Sequence, residues 1–310
     1  MTRFGLLLFA LLALVSSPAA AQTGPPLGAG EHNVVINGVR LWYRVAGQPQ
    51  GTPVVFLHGG PGQGSEPFAR FAGPGLERAN RMIYLDQRGS GRSEKHWKKE
   101  YSLDLMVDDL EKLRRHWNAE RIALIGHSFG TVLALEYAGK YPERVSHLIL
   151  TGAVVDLPAA VDVHCDRLQK LDPKLYAEAL ANVREGSSHR CNTSVAGRQF
   201  IDGAMYPDPA IMKLVNDAGS ADGMKNTGEI FTALAKQGFM EYRLKHADRL
   251  TMPVLVIGGS RDFQAVVEPL QAFVAKLPAA RLMEYEGRGH YMFVEEPDRF
   301  ARDVSAFLAK

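Results

Sequence analysis

Ser128 stands in Gly126-His127-Ser128-Phe129-Gly130, between the apolar runs Ile122-Ala123-Leu124-Ile125 and Thr131-Val132-Leu133-Ala134-Leu135. A short apolar run, a small-residue turn and a second apolar run predict strand, tight turn and helix. In that setting G-x-S-x-G reads as a nucleophile elbow. Two glycines let the helix start close to the strand while the serine takes a strained conformation. The hydroxyl then stands at a helix N-terminus, where backbone N–H groups favour developing negative charge. The chemistry expected is attack by a serine on a carbonyl.

A serine hydroxyl is a poor nucleophile without a base, and the base needs an acid to orient it. The run Val254-Leu255-Val256-Ile257 leads into Gly258-Gly259-Ser260-Arg261-Asp262, and Arg281 to Tyr285 leads to Gly287-Arg288-Gly289-His290. Acid after one strand and histidine after the next put the triad in the chain order Ser128, Asp262, His290. Glu284 and Glu286 are rival carboxylates, but both precede the histidine within or beside a strand. His58 and His127 lie inside glycine motifs, a place suited to orienting loops. Upstream, Pro53 to Leu57 ends at His58-Gly59-Gly60-Pro61-Gly62, where a glycine-rich loop after a buried strand supplies an oxyanion donor. The amides of Gly60 and Phe129 are the expected pair.

These residues need a scaffold. Glu31–Ile36 and Val39–Val45 flank Asn37-Gly38, a hairpin signal. Further strands are expected near 53–57, 81–85, 121–125, 146–151, 252–258 and 281–285, with helices over 102–117, 128–140, 265–277 and 297–309. Such alternation predicts a mostly parallel sheet flanked by helices, the α/β class. From 153 to 250 the strand signals stop, and short helices are expected at Ala160–Leu171, Pro173–Glu185, Pro209–Ala218 and Gly228–His246. An insertion of that size reads as a cap over the site. The division expected is 1–21 leader, 22–152 with 251–310 core, and 153–250 cap.

The leader follows from residue order. Arg3 precedes the apolar run Phe4 to Val15, and Ser16-Ser17-Pro18-Ala19-Ala20-Ala21 offers an A-x-A cleavage site. Cleavage after Ala21 would give a periplasmic or secreted enzyme with no membrane anchor. An uncleaved anchor is the lesser alternative, since twelve apolar residues fall short of a bilayer span. The chain has 310 residues and a net charge of +2, and no basic run suggests nucleic acid. Its two cysteines, Cys165 and Cys191, both fall in the insertion. In an oxidising compartment a disulfide is the expected state. A rival reading joins them with His164 and His189 as zinc ligands, although adjacent residues rarely reach one metal together. No metal is expected, and no G-x-G-x-x-G opens a helix after the first strand, so no cofactor is expected either.

His58-Gly59-Gly60-Pro61-Gly62 together with Asp86-Gln87-Arg88-Gly89-Ser90-Gly91-Arg92-Ser93 resembles the proline iminopeptidase group of serine aminopeptidases, within the α/β-hydrolase superfamily. The core resemblance covers about 53–152 and 251–310. It implies an α/β-hydrolase fold, with a mostly parallel eight-stranded sheet and an inserted helical cap. It also implies release of an N-terminal residue, often proline, from short peptides. The Asp86–Ser93 turn is expected to be a structural corner that pins the loop beneath the site. In such enzymes cap carboxylates hold the free α-amino group, and Glu178, Glu185, Glu229 and Glu241 are the candidates here. The elbow departs from the group, which more often has Gly-Gly-Ser-Trp-Gly; the Gly-His-Ser form is widespread among esterases, lactonases and C–C bond hydrolases. A carboxylesterase or lactonase is therefore the alternative to an aminopeptidase. Epoxide hydrolases and dehalogenases of this fold carry aspartate at the elbow, and an inactive binding protein would have lost part of the triad.

Overall fold

The computed structural model describes residues 27–197, 203 and 205–310. The leader expected at 1–21 lies outside them. Asn37 and Gly38 take positive φ (50° and 72°) and close a hairpin between β1 (Gly30–Ile36) and β2 (Val39–Gly47). The register pairs Ile36 with Val39 and Gly30 with Val45. Along β2 the side chains of Val39, Leu41, Tyr43 and Val45 share one face by the period-two rule, and all are buried.

The remaining strands are β3 (Val54–Leu57), β4 (Arg81–Asp86), β5 (Ile122–His127), β6 (Val145–Thr151), β7 (Val254–Gly259) and β8 (Ala280–Tyr285). The eight form one sheet in the order β1-β2-β4-β3-β5-β6-β7-β8. The β1–β2 and β2–β4 pairs are antiparallel, and all others are parallel. β3, β5 and β7 are buried along their whole length, as strands covered on both faces must be. Helices Leu103–His116, Phe129–Lys140 and Val267–Val274 pack on one face, and Glu66–Phe71 with Pro297–Leu308 on the other. Each Val, Leu or Ile so enclosed contributes about 1.5–3 kcal/mol.

Sheet order decides where chemistry sits. The chain passes from β3 to β4 on one side and returns to β5 on the other, so the loops after β3 and β5 diverge from a common crevice. Ligands bind at such a switch point, outside the carboxyl ends of the strands.

Between β6 and β7 the described residues form short helices joined by turns. Asp156 caps Leu157–Leu171 by accepting from Ala159 N (2.8 Å), and Asp172 and Asp208 cap Pro173–Ala181 and Pro209–Gly219. The helix expected over Gly228–His246 is a correction. It runs only from Thr227 to Ala235, because Gly238 turns left-handed (φ 84°) and Phe239–Glu241 follows as a single 3-10 turn. The break lets Phe239 pack edge-on against Phe129, their centroids 5.6 Å apart. Cys165 and Cys191 form a disulfide within a small cluster with Val161, Leu168 and Ala179. Both sulfurs are consumed there, which removes the zinc alternative.

Candidate active site

The strain foreseen at the elbow is present. Ser128 has φ 52° and ψ −121°, outside the regions that side chains favour. Neighbouring glycines make the geometry possible. A Cβ on Gly130 would lie 2.0 Å from the Leu57 carbonyl oxygen, and one on Gly126 2.6 Å from the Gly130 oxygen. Helix and strand therefore meet at backbone distance. Ser128 N donates to Thr151 O of β6 (3.1 Å), and the Thr131 hydroxyl donates to Ser128 O (2.6 Å) while accepting from Val154 N (2.9 Å).

His290 is buried and its Nδ1 lies 2.8 Å from Asp262 Oδ2. The other Asp262 oxygen accepts from Gln264 N (2.9 Å) and Ala265 N (2.8 Å), so the carboxylate is held at both ends. His290 N donates to Met205 O at 3.1 Å. Its ring fits against Gly152, where a Cβ would come within 2.9 Å of Nδ1 and Cε1. The glycine directly after β6 thus makes room for the base, a role with no motif to announce it.

The loop after β3 is fixed by two anchors. Gln87 N donates to His58 Nε2 (3.1 Å), so the His58 proton sits on Nδ1, which donates to Gly59 O (3.0 Å). Burial pushes the His58 pKa down, in keeping with a neutral ring. Below the loop, Asp86 accepts from Ser65 N (2.9 Å), Ser65 Oγ (2.7 Å) and Arg92 Nε (2.7 Å). Arg88 meets Asp109 with two hydrogen bonds of 2.6 and 2.7 Å. The Asp86–Ser93 turn is thereby a structural corner. Asp222, from the insertion, accepts from Glu66 N (2.8 Å) beside the same corner. Burial, then the charge of Asp86, pushes its pKa up to about 7.

Ser128, Gly60 and Phe129 line one cavity of about 280 Å³. Its far wall comes from the insertion and from the loop after Asp262. Val161, Phe231, Phe239, Met240 and Phe263 make that wall largely apolar, and His164 is its titratable group. Larger depressions exist, but they are lined by neither Ser128 nor His290.

The four glutamates expected to hold an amine are elsewhere, and among the described residues lining the cavity there is no Asp or Glu. Glu178 and Glu185 are exposed. Glu229 receives Tyr101 Oη (2.8 Å) and Asn226 Nδ2 (3.2 Å) with Lys99 at 3.3 Å, partners that lower its pKa to about 2. Glu241 binds Ser187, Ser188 and His189. Each of the four carboxylates faces outward or meets polar neighbours, where desolvation costs least. Sequence reading also missed the cavity wall, since residues from three separated segments meet there only in the fold.

Residues 52–297 match the alpha/beta hydrolase fold family. The chain is 27% identical to the proline iminopeptidase PfmaB of Pestalotiopsis fici over 290 residues, covering 89% of this chain and 99% of that protein. With a probable proline iminopeptidase of Streptomyces coelicolor the identity is 34% over 191 residues, 56% of this chain and about half, 54%, of that protein. Among solved structures, a proline iminopeptidase-related protein of Thermus thermophilus superposes with a TM-score of 0.71 at 25% identity, covering 90% of this chain and 96% of that one. The chain belongs to the α/β-hydrolase fold family and is a serine hydrolase similar to the proline iminopeptidases.

Proposed function

We propose that the chain is an aminopeptidase that releases an N-terminal proline or small residue from short peptides through an acyl-enzyme. Ser128 Oγ attacks the scissile carbonyl. With Nδ1 of His290 engaged by Asp262, Nε2 is the nitrogen left to take the serine proton and pass it to the leaving amine. Asp262 fixes the tautomer and stabilises the imidazolium. The Gly60 and Phe129 amides hold the oxyanion, after which water attacks the ester and the same steps run in reverse.

The observation that carries the peptidase reading is similarity over nearly the full length of a protein named as a proline iminopeptidase. One feature favours a second reading: the described cavity wall has no carboxylate for an ammonium, which suits a neutral ester or lactone. Turnover of prolyl- and alanyl-arylamides, their N-acetyl forms and short p-nitrophenyl esters separates the two, with Ser128→Ala as control. Free-amine arylamides should turn over and lose turnover on acetylation. Ester turnover alone would overturn the peptidase assignment. The leader sequence supports export, and mass spectrometry of the N-terminus after expression in a bacterial host should find a chain that begins at Gln22.

A further inference from the structure

His290 sits in a loop whose backbone is tied on each side of it. Arg261 N donates to Arg288 O (2.9 Å), His290 N to Met205 O (3.1 Å) and His127 Nε2 to His290 O (3.0 Å). Gly289 N, between Arg288 and His290, finds a side chain instead: it donates to Glu295 Oε1 (2.9 Å) and Oε2 (3.2 Å). Glu295 ends the one-turn helix Met292–Glu295 that follows the base. There Val294 N and Glu295 N both return to Tyr291 O, at 2.8 and 3.1 Å. The chain folds back on itself, so that a side chain beyond His290 closes on the amide just before it.

Gly289 is buried and Glu295 half-buried. A buried N–H stripped of its acceptor is costly, so without Glu295 the loop would shift toward another partner and carry the base with it. The carboxylate holds this place against its own preference. Burial leads in pushing its pKa up, and the like charges of Asp262 and Glu296 add to that against the Gly289 amide and Arg288. Glu296, one residue on, pairs with Arg288 and Arg299 instead. We propose that Glu295 is a positioning residue for the catalytic base: by holding the Gly289 amide, its carboxylate sets where the His290 ring stands to take the proton of Ser128. The assignment rests on the triad and not on the aminopeptidase reading, because any acyl group attacked by Ser128 needs the same proton transfer.

The test needs no knowledge of the substrate. Diisopropyl fluorophosphate labels an activated serine: the Oγ–phosphorus bond forms, the phosphorus–fluorine bond breaks, fluoride leaves and the serine proton passes to His290. The second-order labelling rate is read by intact mass for the native enzyme, Glu295→Ala, Glu295→Gln and Glu296→Gln, with thermal unfolding recorded for each. Glutamine keeps an acceptor for Gly289 N and gives up the charge, while E296Q breaks the neighbouring ion pairs and leaves the Gly289 bond alone. E295A should be labelled about 10- to 100-fold more slowly, the scale of a misplacement of about 1 Å. E295Q should recover most of the native rate, and E296Q should keep it whatever its thermal midpoint. A folded E295A labelled at the native rate overturns the assignment. So does an equal loss in E295Q, which would make the charge and not the bond responsible, or an equal loss in E296Q, which would make it general loosening. If E295A does not fold, Glu295→Asp, with the carboxylate drawn back by one methylene, is set against E295Q: slower labelling of E295D supports the proposal, and equal rates overturn it. A native enzyme with no Ser128-dependent labelling would overturn the triad and the proposal together.

Discussion

His127 and His290 lie ring against ring, their centroids 4.7 Å apart, and His127 Nε2 donates to the carbonyl oxygen of His290 at 3.0 Å. A carbonyl only accepts, so the His127 proton is on Nε2. Burial and the neighbouring His290 drive its pKa well below the ordinary histidine range. The residue before the nucleophile thus holds the backbone of the base. His127→Phe keeps a flat ring but strips the carbonyl of its donor. Stability should fall by about 1–3 kcal/mol in urea unfolding, the cost of one buried unpaired group.

Asp262→Asn should leave the loop intact, because Asn still accepts from Gln264 N and Ala265 N through its carbonyl oxygen. It no longer fixes the His290 tautomer or balances its cation. Turnover should fall by roughly 10³–10⁴-fold while the thermal midpoint barely moves. A loss below tenfold would remove Asp262 from the triad.

Two glycine substitutions should act in opposite directions. Gly130→Ala drives a Cβ to 2.0 Å from the Leu57 carbonyl and should cost about 3 kcal/mol or more. Gly228, in the helix Thr227–Ala235, has nothing within 4 Å of its Cβ position. Alanine there should stabilise by about 0.5–1 kcal/mol through helix propensity. Denaturant midpoints of both variants check the contrast.

Asp222, 1% exposed with a pKa near 7, is harder to ionise in the fold than in the unfolded chain. For an acid with a raised folded pKa, stability is fully present below the unfolded value of 3.8 and drains as pH rises through about 7. Asp222→Asn cannot ionise and keeps an acceptor for Glu66 N. The variant should match the parent near pH 4 and exceed it by a few kcal/mol at pH 8. Urea midpoints at both pH values measure the difference, and equal midpoints at pH 8 would show that Arg92 holds Asp222 ionised without cost.

Cys165 and Cys191 close a loop with a separation of 26 residues. Replacing both by alanine should lower the stability of the insertion by roughly 3–4 kcal/mol, the loop-closure value for that length. Limited proteolysis should then cut between Asp156 and Leu250 while the sheet stays protected.

Much of the fold was legible because its signals are local. The Asn37-Gly38 turn, the buried runs of β3, β5 and β7, and the glycine motifs after them all depend on near neighbours in the chain. The Asp262–His290 contact was legible for a different reason, since chain order within a parallel sheet places the two loops side by side. The cavity wall was not. His164 enters the sequence reading only through the rejected zinc alternative with Cys165, while its neighbour in the fold, Phe263, is about a hundred residues away. The four glutamates lie away from the cavity for the same reason: chain position does not say which face the insertion turns toward Ser128. Gly238 was a visible stop signal inside an expected helix, and weighing it would have ended that helix in the right place.

β6 and β7 are hydrogen-bonded neighbours, with Thr151 opposite Ile257, and about a hundred residues leave the sheet after one and return before the other. The two strands pair directly in parallel, so the sheet is continuous across the splice whatever lies between them. Serine, acid and base all lie outside that splice, and most of the apolar wall lies within it. The reaction and the choice of what undergoes it are therefore separable inheritances: a lineage can exchange the insertion, and with it the diet of the enzyme, without relearning how to break an acyl bond.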